Sequence, residues 1–358
     1  MTKDLLEESS STVVKIAAFI IIIAGMIFAK AILIPFLIAL FISIICAQPI
    51  YWLEKKKVPK GLAVFIVLFG ILSMFTGFGY LIGGSVSDFS SNAPDYEASL
   101  KAISNTFIQN LNDMGIRVTH TQFNNLFEPS RVLSFTSVVI NKFVNMMGDT
   151  FLVFLTILFM LLELSSIPDK LRTIFKGPAE SMDYLATITQ SIRHYLIIKT
   201  YISLGVGVLI YISLSIIGLD YAILWALIAF LLNYIPNIGS LIALIPAFFL
   251  SMVQLGLGGT IWVLVTFMAV HSVLGNFIEP KIMGNGLGLS TLVVFLSLVF
   301  WGFIFGIAGM FLSVPLTITL KIVLEQNEKT KWIAILLGTP KDAKIHLENR
   351  DKKSLKIH

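Results

Sequence analysis

The sequence predicts an all-α, polytopic integral membrane protein with about eight transmembrane helices. Pro/Gly-broken helices or re-entrant hairpins are expected in its C-terminal half. Three observations carry this reading. Hydrophobic residues make up 56% of the 358-residue chain and charged residues only 13%, with a mean hydropathy of +0.87, which leaves too little polar surface for a soluble shell. Charge-free runs recur, such as Ile16–Phe28 and Ile32–Cys46, and runs near ~20 apolar residues suffice to cross a hydrocarbon core of ~30 Å. Two interrupted apolar segments also resemble each other. The first reads Asn233-Tyr234-Ile235-Pro236-Asn237-Ile238-Gly239, and the second, 43 residues on, reads Asn276-Phe277-Ile278-Glu279-Pro280-Lys281-Ile282-Met283-Gly284.

The elements follow in order. Residues 1–82 hold three spans: about Thr12 to Ala29, about Ala31 to Ile50 after a turn at Lys30, and about Gly61 to Ile82. Between the second and third lies the basic loop Lys55-Lys56-Lys57-Val58-Pro59-Lys60, which the positive-inside rule assigns to the cytoplasm together with the N-terminus. Residues 83–149 are polar, with Lys/Arg four times against Asp/Glu six times, a balance that suits the outside. Leu100, Ile103, Phe107, Ile108 and Leu111 recur at helical spacing there, so an extracytoplasmic amphipathic helical segment is expected. Residues 150–199 comprise a span to about Leu164 and a basic cytoplasmic amphipathic stretch carrying Arg193, His194 and Lys199. Residues 200–325 form a C-terminal core: a span to about Leu219, the long stretches Tyr221–Gln254 and Ser290–Leu324, and Thr260–Ile278 between them. Each long stretch is either one kinked span or a hairpin of short helices. Residues 326–358 form a cytoplasmic polar tail.

Proline removes a backbone donor and clashes with the preceding turn, so both segments are expected to break at Pro236 and Pro280. Freed backbone groups survive at membrane depth only where protein or a water-filled cavity surrounds them, and matched interrupted segments point to a transport site. The candidate substrate- or ion-binding residues are therefore Glu279, Asn233, Asn276, Pro236, Asn237, Gly239, Pro280 and Lys281. Glu279 could bind a cation, relay a proton or accept from a polyol, because an ionisable group at membrane depth tends to be functional; the plainer reading pairs it with Lys281 or a neighbouring span. Asn233 and Asn276 could bind hydroxyl groups or simply cap helix ends. His271 is a candidate proton relay, with a hydrogen bond across helices as the plainer reading. Gly284, Gly286 and Gly288 read as a hinge, and Gly302, Gly306 and Gly309 as permitting close helix packing. Asp220 and Glu163 fall at span ends.

Other classes are excluded by what the chain lacks. The single cysteine, Cys46, allows neither an intrachain disulfide nor a Cys-rich metal site. No hydrolase, metalloprotease or P-loop pattern occurs, so the sequence predicts no enzyme, no cofactor and no metal. The net charge of +5 sits at span ends rather than on a basic face, and no nucleic-acid partner is expected. The expected partners are the lipid bilayer and a small polar solute or cation.

The ordered fragments Ile235-Pro236-Asn237-Ile238-Gly239, Ile245-Pro246, Glu279-Pro280-Lys281-Ile282-Met283-Gly284, Gly288-Leu289-Ser290, Gly306-Ile307-Ala308-Gly309 and Val314-Pro315-Leu316 resemble the autoinducer-2 exporter family of bacterial membrane proteins. The resemblance covers most of the chain. It implies a multi-pass inner-membrane transport protein, with homo-oligomeric assembly as a further expectation. Members have been described as exporters of the quorum-sensing signal autoinducer-2 and others as sodium/proton antiporters. The expected function is thus secondary transport or export of a small polar molecule, with autoinducer-2 as a candidate. Sodium (cation)/proton antiport is the alternative, and a non-transporting membrane scaffold or assembly factor the second.

Overall fold

The computed structural model describes residues 2–115, 150–163, 180–236, 238–283 and 288–340, with 138 and 170 as single positions. Among these residues the chain is helical and contains no strand. That follows from the composition, since a helix satisfies its own backbone hydrogen bonds in an apolar solvent. The helices are α1 (Thr2–Phe28), α2 (Lys30–Lys55), α3 (Lys60–Asp113), α4 (Thr150–Glu163), α5 (Glu180–Ile217), α6 (Ala222–Leu232), α7 (Gly239–Val270), a π-helix (His271–Ile278), α8 (Glu279–Met283), α9 (Thr291–Phe305), α10 (Ile307–Glu325) and α11 (Lys331–Leu337).

Among the described residues five helical stretches are long and apolar enough to cross a membrane: Lys30–Lys55, Lys60–Phe89, Thr187–Ile217, Gly239–Met283 and Ile307–Glu325. Shorter apolar helices are Val14–Phe28, Leu152–Glu163, Ala222–Leu232 and Thr291–Phe305. Large apolar side chains are exposed along them, including Phe65, Phe69, Trp262 and Phe303, the surface a lipid environment covers.

Two boundaries differ from the sequence reading. The third span does not end at Ile82: α3 continues unbroken through Pro94 to Asp113, 54 residues or about 80 Å, so its second half extends well beyond the apolar layer. The rest of the 83–149 segment falls largely outside the described residues. The helix that carries the fifth span starts well before Thr200, because α5 is one 38-residue helix running through Lys199. The reason is visible on its buried face: Ile192, Tyr195, Leu196, Lys199, Ile202, Ser203, Val206 and Ile210 follow the i, i+3, i+4, i+7 stripe of a core-facing helix.

The chain divides into two compact units. One comprises Met1–Gln48, Leu152–Leu196 and Asn285–His358. Here Gly306 adopts φ 65°, ψ −142°, a conformation open to glycine, and reverses the chain so that α9 and α10 form a hairpin. A Cβ on Gly309 would stand 1.9 Å from the Trp301 carbonyl oxygen, and Trp301 Nε1 donates to Thr317 Oγ1 at 3.0 Å. The small-residue contact expected from these glycines is present at Gly302 and Gly309, while Gly306 forms the turn, with nothing within 4 Å of an added Cβ. Ser290 caps α9 by accepting from Val293 N–H, and Lys321 Nζ donates to the Gly288 carbonyl at 2.6 Å.

The other unit comprises Pro49–Phe151 and Ile197–Gly284. Gln254, midway along α7, accepts from Asp220 N–H at 2.9 Å and donates to the Gly218 carbonyl at 3.0 Å. Residues 220 and 254 flank opposite ends of the α6–α7 pair, so the two helices run antiparallel. Gly256 (φ 66°, ψ −169°) then folds α7 back on itself, which brings Ser240, at its start, within 2.8 Å of His271, just past its end. Both long stretches, Tyr221–Gln254 and Ser290–Leu324, are thus hairpins of short helices.

Candidate functional site

The first break forms where the sequence places it. α6 ends at Leu232, the chain turns at Asn233–Pro236, and α7 starts at Gly239. Gly239 is required sterically: a Cβ there would lie 1.8 Å from the Leu232 carbonyl oxygen. Asn233 closes α6 with its backbone N–H, bonded to the Ala229 carbonyl. Its buried side chain does something else, donating across to Ser203 Oγ on α5 at 2.9 Å. Next to it Tyr234 Oη donates to Thr200 Oγ1 at 2.8 Å. The broken segment is therefore pinned to α5 by two side-chain bonds one turn apart.

The second break does not form. Pro280 lies within continuous helix, and the backbone from His271 to Met283 stays helical. The adjustment is instead a widening into a π-helix over His271–Ile278. Such turns are rare and frequently sit at functional sites. In an α-helix five residues cover ~1.4 turns, so His271 and Asn276 would face apart. The i→i+5 winding brings them toward a common face.

That face meets α5 and the first break. Lys199 Nζ is 2.6 Å from Glu279 Oε1, with the two side chains 4% and 16% exposed. Lys199, Asn233, Ile235, Pro236, Ser240, His271, Gly275, Asn276 and Glu279 together line a polar cavity of about 50 Å³. Ser240 Oγ and His271 Nδ1 share a hydrogen bond at 2.8 Å, the direction of which depends on the imidazole tautomer. Gly275 lies against the same ring: a Cβ there would be 3.1 Å from His271 Nδ1. Within the apolar stretch Thr187–Ile217, Lys199 is 12 residues from one end and 18 from the other, or about 18 and 27 Å. The ion pair is therefore set away from both ends of that helical stretch, and its two side chains are largely shielded from solvent.

The cavity gathers Asn233, Pro236, His271, Asn276 and Glu279 from the sequence-derived candidates. It does not include Pro280 and Lys281, which are exposed. Glu279 pairs with Lys199, not with Lys281, because the helical winding past Pro280 carries Lys281 outward. Asn237, Gly284 and Gly286 lie outside the described residues. Gly288 adopts φ 57° with its carbonyl held by Lys321. Asp220 accepts from Tyr96 Oη, and Glu163 pairs with Lys170 at the exposed end of α4. Among the described residues no His/Cys/Asp/Glu cluster could hold a metal ion. Sequence reasoning missed Lys199 and Ser203. Their signal was the buried stripe on α5, in which Lys199 occupies an apolar position.

Comparison with known proteins agrees with this architecture. Residues 16–329 match the AI-2E family transporter profile. The chain belongs to that family, whose members are multi-pass membrane proteins. The AI-2 transport protein TqsA of Escherichia coli K12 is 38% identical over 91% of this chain and 95% of its own length. A putative transport protein of Haemophilus influenzae is 39% identical over 93% of this chain and 97% of its own. The putative transport protein YhhT of E. coli K12 is 33% identical over 90% and 93%.

Proposed function

We propose that this protein is a secondary transporter of a small polar solute in the bacterial inner membrane, and that the cavity around Lys199 and Glu279 is its solute site. The observation that carries the reading is the ion pair itself, set mid-helix beside a Pro-broken turn in an otherwise apolar protein. Asn233 and Asn276 amides, the Ser240 hydroxyl, the imidazole, the ammonium and the carboxylate offer donors and acceptors around one space. That set suits a neutral compound bearing several hydroxyl groups, and the name of TqsA makes autoinducer-2 the first such compound to test. A water needs roughly 10–15 Å³ of such space, so a cavity of about 50 Å³ holds a few waters. Solute entry then requires the broken hairpin to move against α5. No nucleotide motif is present, so the driving force is an ion gradient or the solute's own gradient.

The carboxylate beside His271 favours sodium/proton antiport as the second reading. Flux into proteoliposomes separates the two. With autoinducer-2, sodium and proton gradients imposed in turn, solute flux that is lost in Glu279→Gln supports the solute site. Sodium-driven proton movement without solute flux would replace it with antiport. No flux of any of the three would leave the scaffold reading and remove the site.

A further inference from the structure

We propose that the end of α2 and the turn that follows it, Tyr51–Lys60, form a binding site for the headgroup of an anionic phospholipid. Four lysines fall within six residues, Lys55, Lys56, Lys57 and Lys60, against the single acid Glu54. Among the described residues no carboxylate pairs with any of the four. Two of them are instead held on aromatic faces. Lys55 Nζ lies 4.8 Å from the centre of the Tyr51 ring, and Lys56 Nζ lies 3.7 Å from that of Trp52, both within cation–π range. An i, i+4 spacing at the end of α2 and into the turn after it produces both contacts. The next residue, Lys57, adopts φ 66°, and its N–H bonds back to the Glu54 carbonyl, so the helix stops and the cations gather at its end.

The aromatic rings identify the ligand. Tyr51 and Trp52 are 55% and 54% exposed at the end of an apolar stretch long enough to span a bilayer. Tyr and Trp in that position sit at headgroup depth. A ring face holds an ammonium without consuming its N–H donors, which stay available to a phosphate. Lysine clusters next to a span attract anionic lipid, each lysine adding a factor of about five in affinity. A dissolved anion would use the lysines but would have no need of exposed rings beside them. The site is remote in sequence from the solute cavity and does not depend on what the protein transports.

The test measures lipid retained by the purified full-length chain after detergent exchange, read by native mass spectrometry with phosphatidylglycerol and phosphatidylcholine offered at equal amounts. Phosphatidylglycerol should be preferred, and Lys55→Gln/Lys56→Gln/Lys57→Gln/Lys60→Gln should abolish the preference, falling about fivefold per lysine. The loop's charge also helps orient the chain on insertion, so a second variant leaves every charge in place: Tyr51→Leu/Trp52→Leu should weaken the preference severalfold. Equal retention of the two lipids by the unmodified protein would overturn the proposal. So would unchanged preference in the aromatic variant, or displacement of the lipid by equimolar inorganic phosphate, which would reassign the site to a free anion.

Discussion

Removing one partner of the Lys199–Glu279 pair should destabilise the protein far more than removing both. The groups stand 2.6 Å apart, and their side chains are 4% and 16% exposed. Their direct attraction is about 6 kcal/mol at an effective dielectric constant of ~20, and desolvation of the two charges offsets much of it. The pair as a whole thus contributes little net stability, whereas a single removal leaves an uncompensated charge and costs about 3–5 kcal/mol. Glu279→Gln keeps the shape and the acceptor oxygen but strands the ammonium. Lys199→Met strands the carboxylate. The double variant removes both charges, and its stability should return to within about 2 kcal/mol of the original, giving an interaction term of about 4 kcal/mol or more. Unfolding in detergent, followed for all four proteins, measures that term. Lys281→Met combined with Glu279→Gln is the control and should be additive, since Lys281 is exposed and outside the cavity. Additive losses for Lys199 and Glu279 would refute the pairing as an energetic unit. In flux assays the double variant should be folded yet inactive, and full transport by it would remove the pair from the mechanism.

Three further outcomes are expected. Gly239→Ala should fail to accumulate as folded protein, because its Cβ meets the Leu232 carbonyl at 1.8 Å, while Gly70→Ala, with nothing within 4 Å, should be tolerated; size-exclusion profiles distinguish them. Burial pushes the Tyr96 phenol above its usual range, assisted by Tyr221 and Asp220. Its stabilising contribution is therefore complete below about pH 10 and lost as pH rises further, so Tyr96→Phe should flatten the alkaline fall in stability. In a Cys46→Ser background, an impermeant maleimide applied to intact cells should label Asn105→Cys and spare Lys57→Cys; the reverse pattern would invert the proposed orientation, including cytoplasmic termini.

The membrane class, the all-α fold and the first broken segment were legible in the sequence, because composition and period report directly on solvent and helix face. Charge-free runs can do little but cross a bilayer, and Pro236 with Gly239 leaves the chain no unbroken helix there. The family was legible for a related reason: its fragments mark turns and close contacts, as Gly306 and Gly309 show. Hairpin and kinked span were not distinguishable, since both share one hydropathy profile. The turn ahead of Gly239 and the reversal at Gly306 settle that, the first by a close approach and the second by backbone angles that glycine permits but does not dictate. Pro280 misled because a proline inside a helix need not break it: here the helix continues past it, following the π-helical turns of His271–Ile278. Lys199 was read as a boundary marker, since a lysine beside polar residues looks the same whether it ends a helix or continues into one. Only packing places that ammonium against a carboxylate 80 residues away, because the partner of a buried charge is fixed by which helix faces meet.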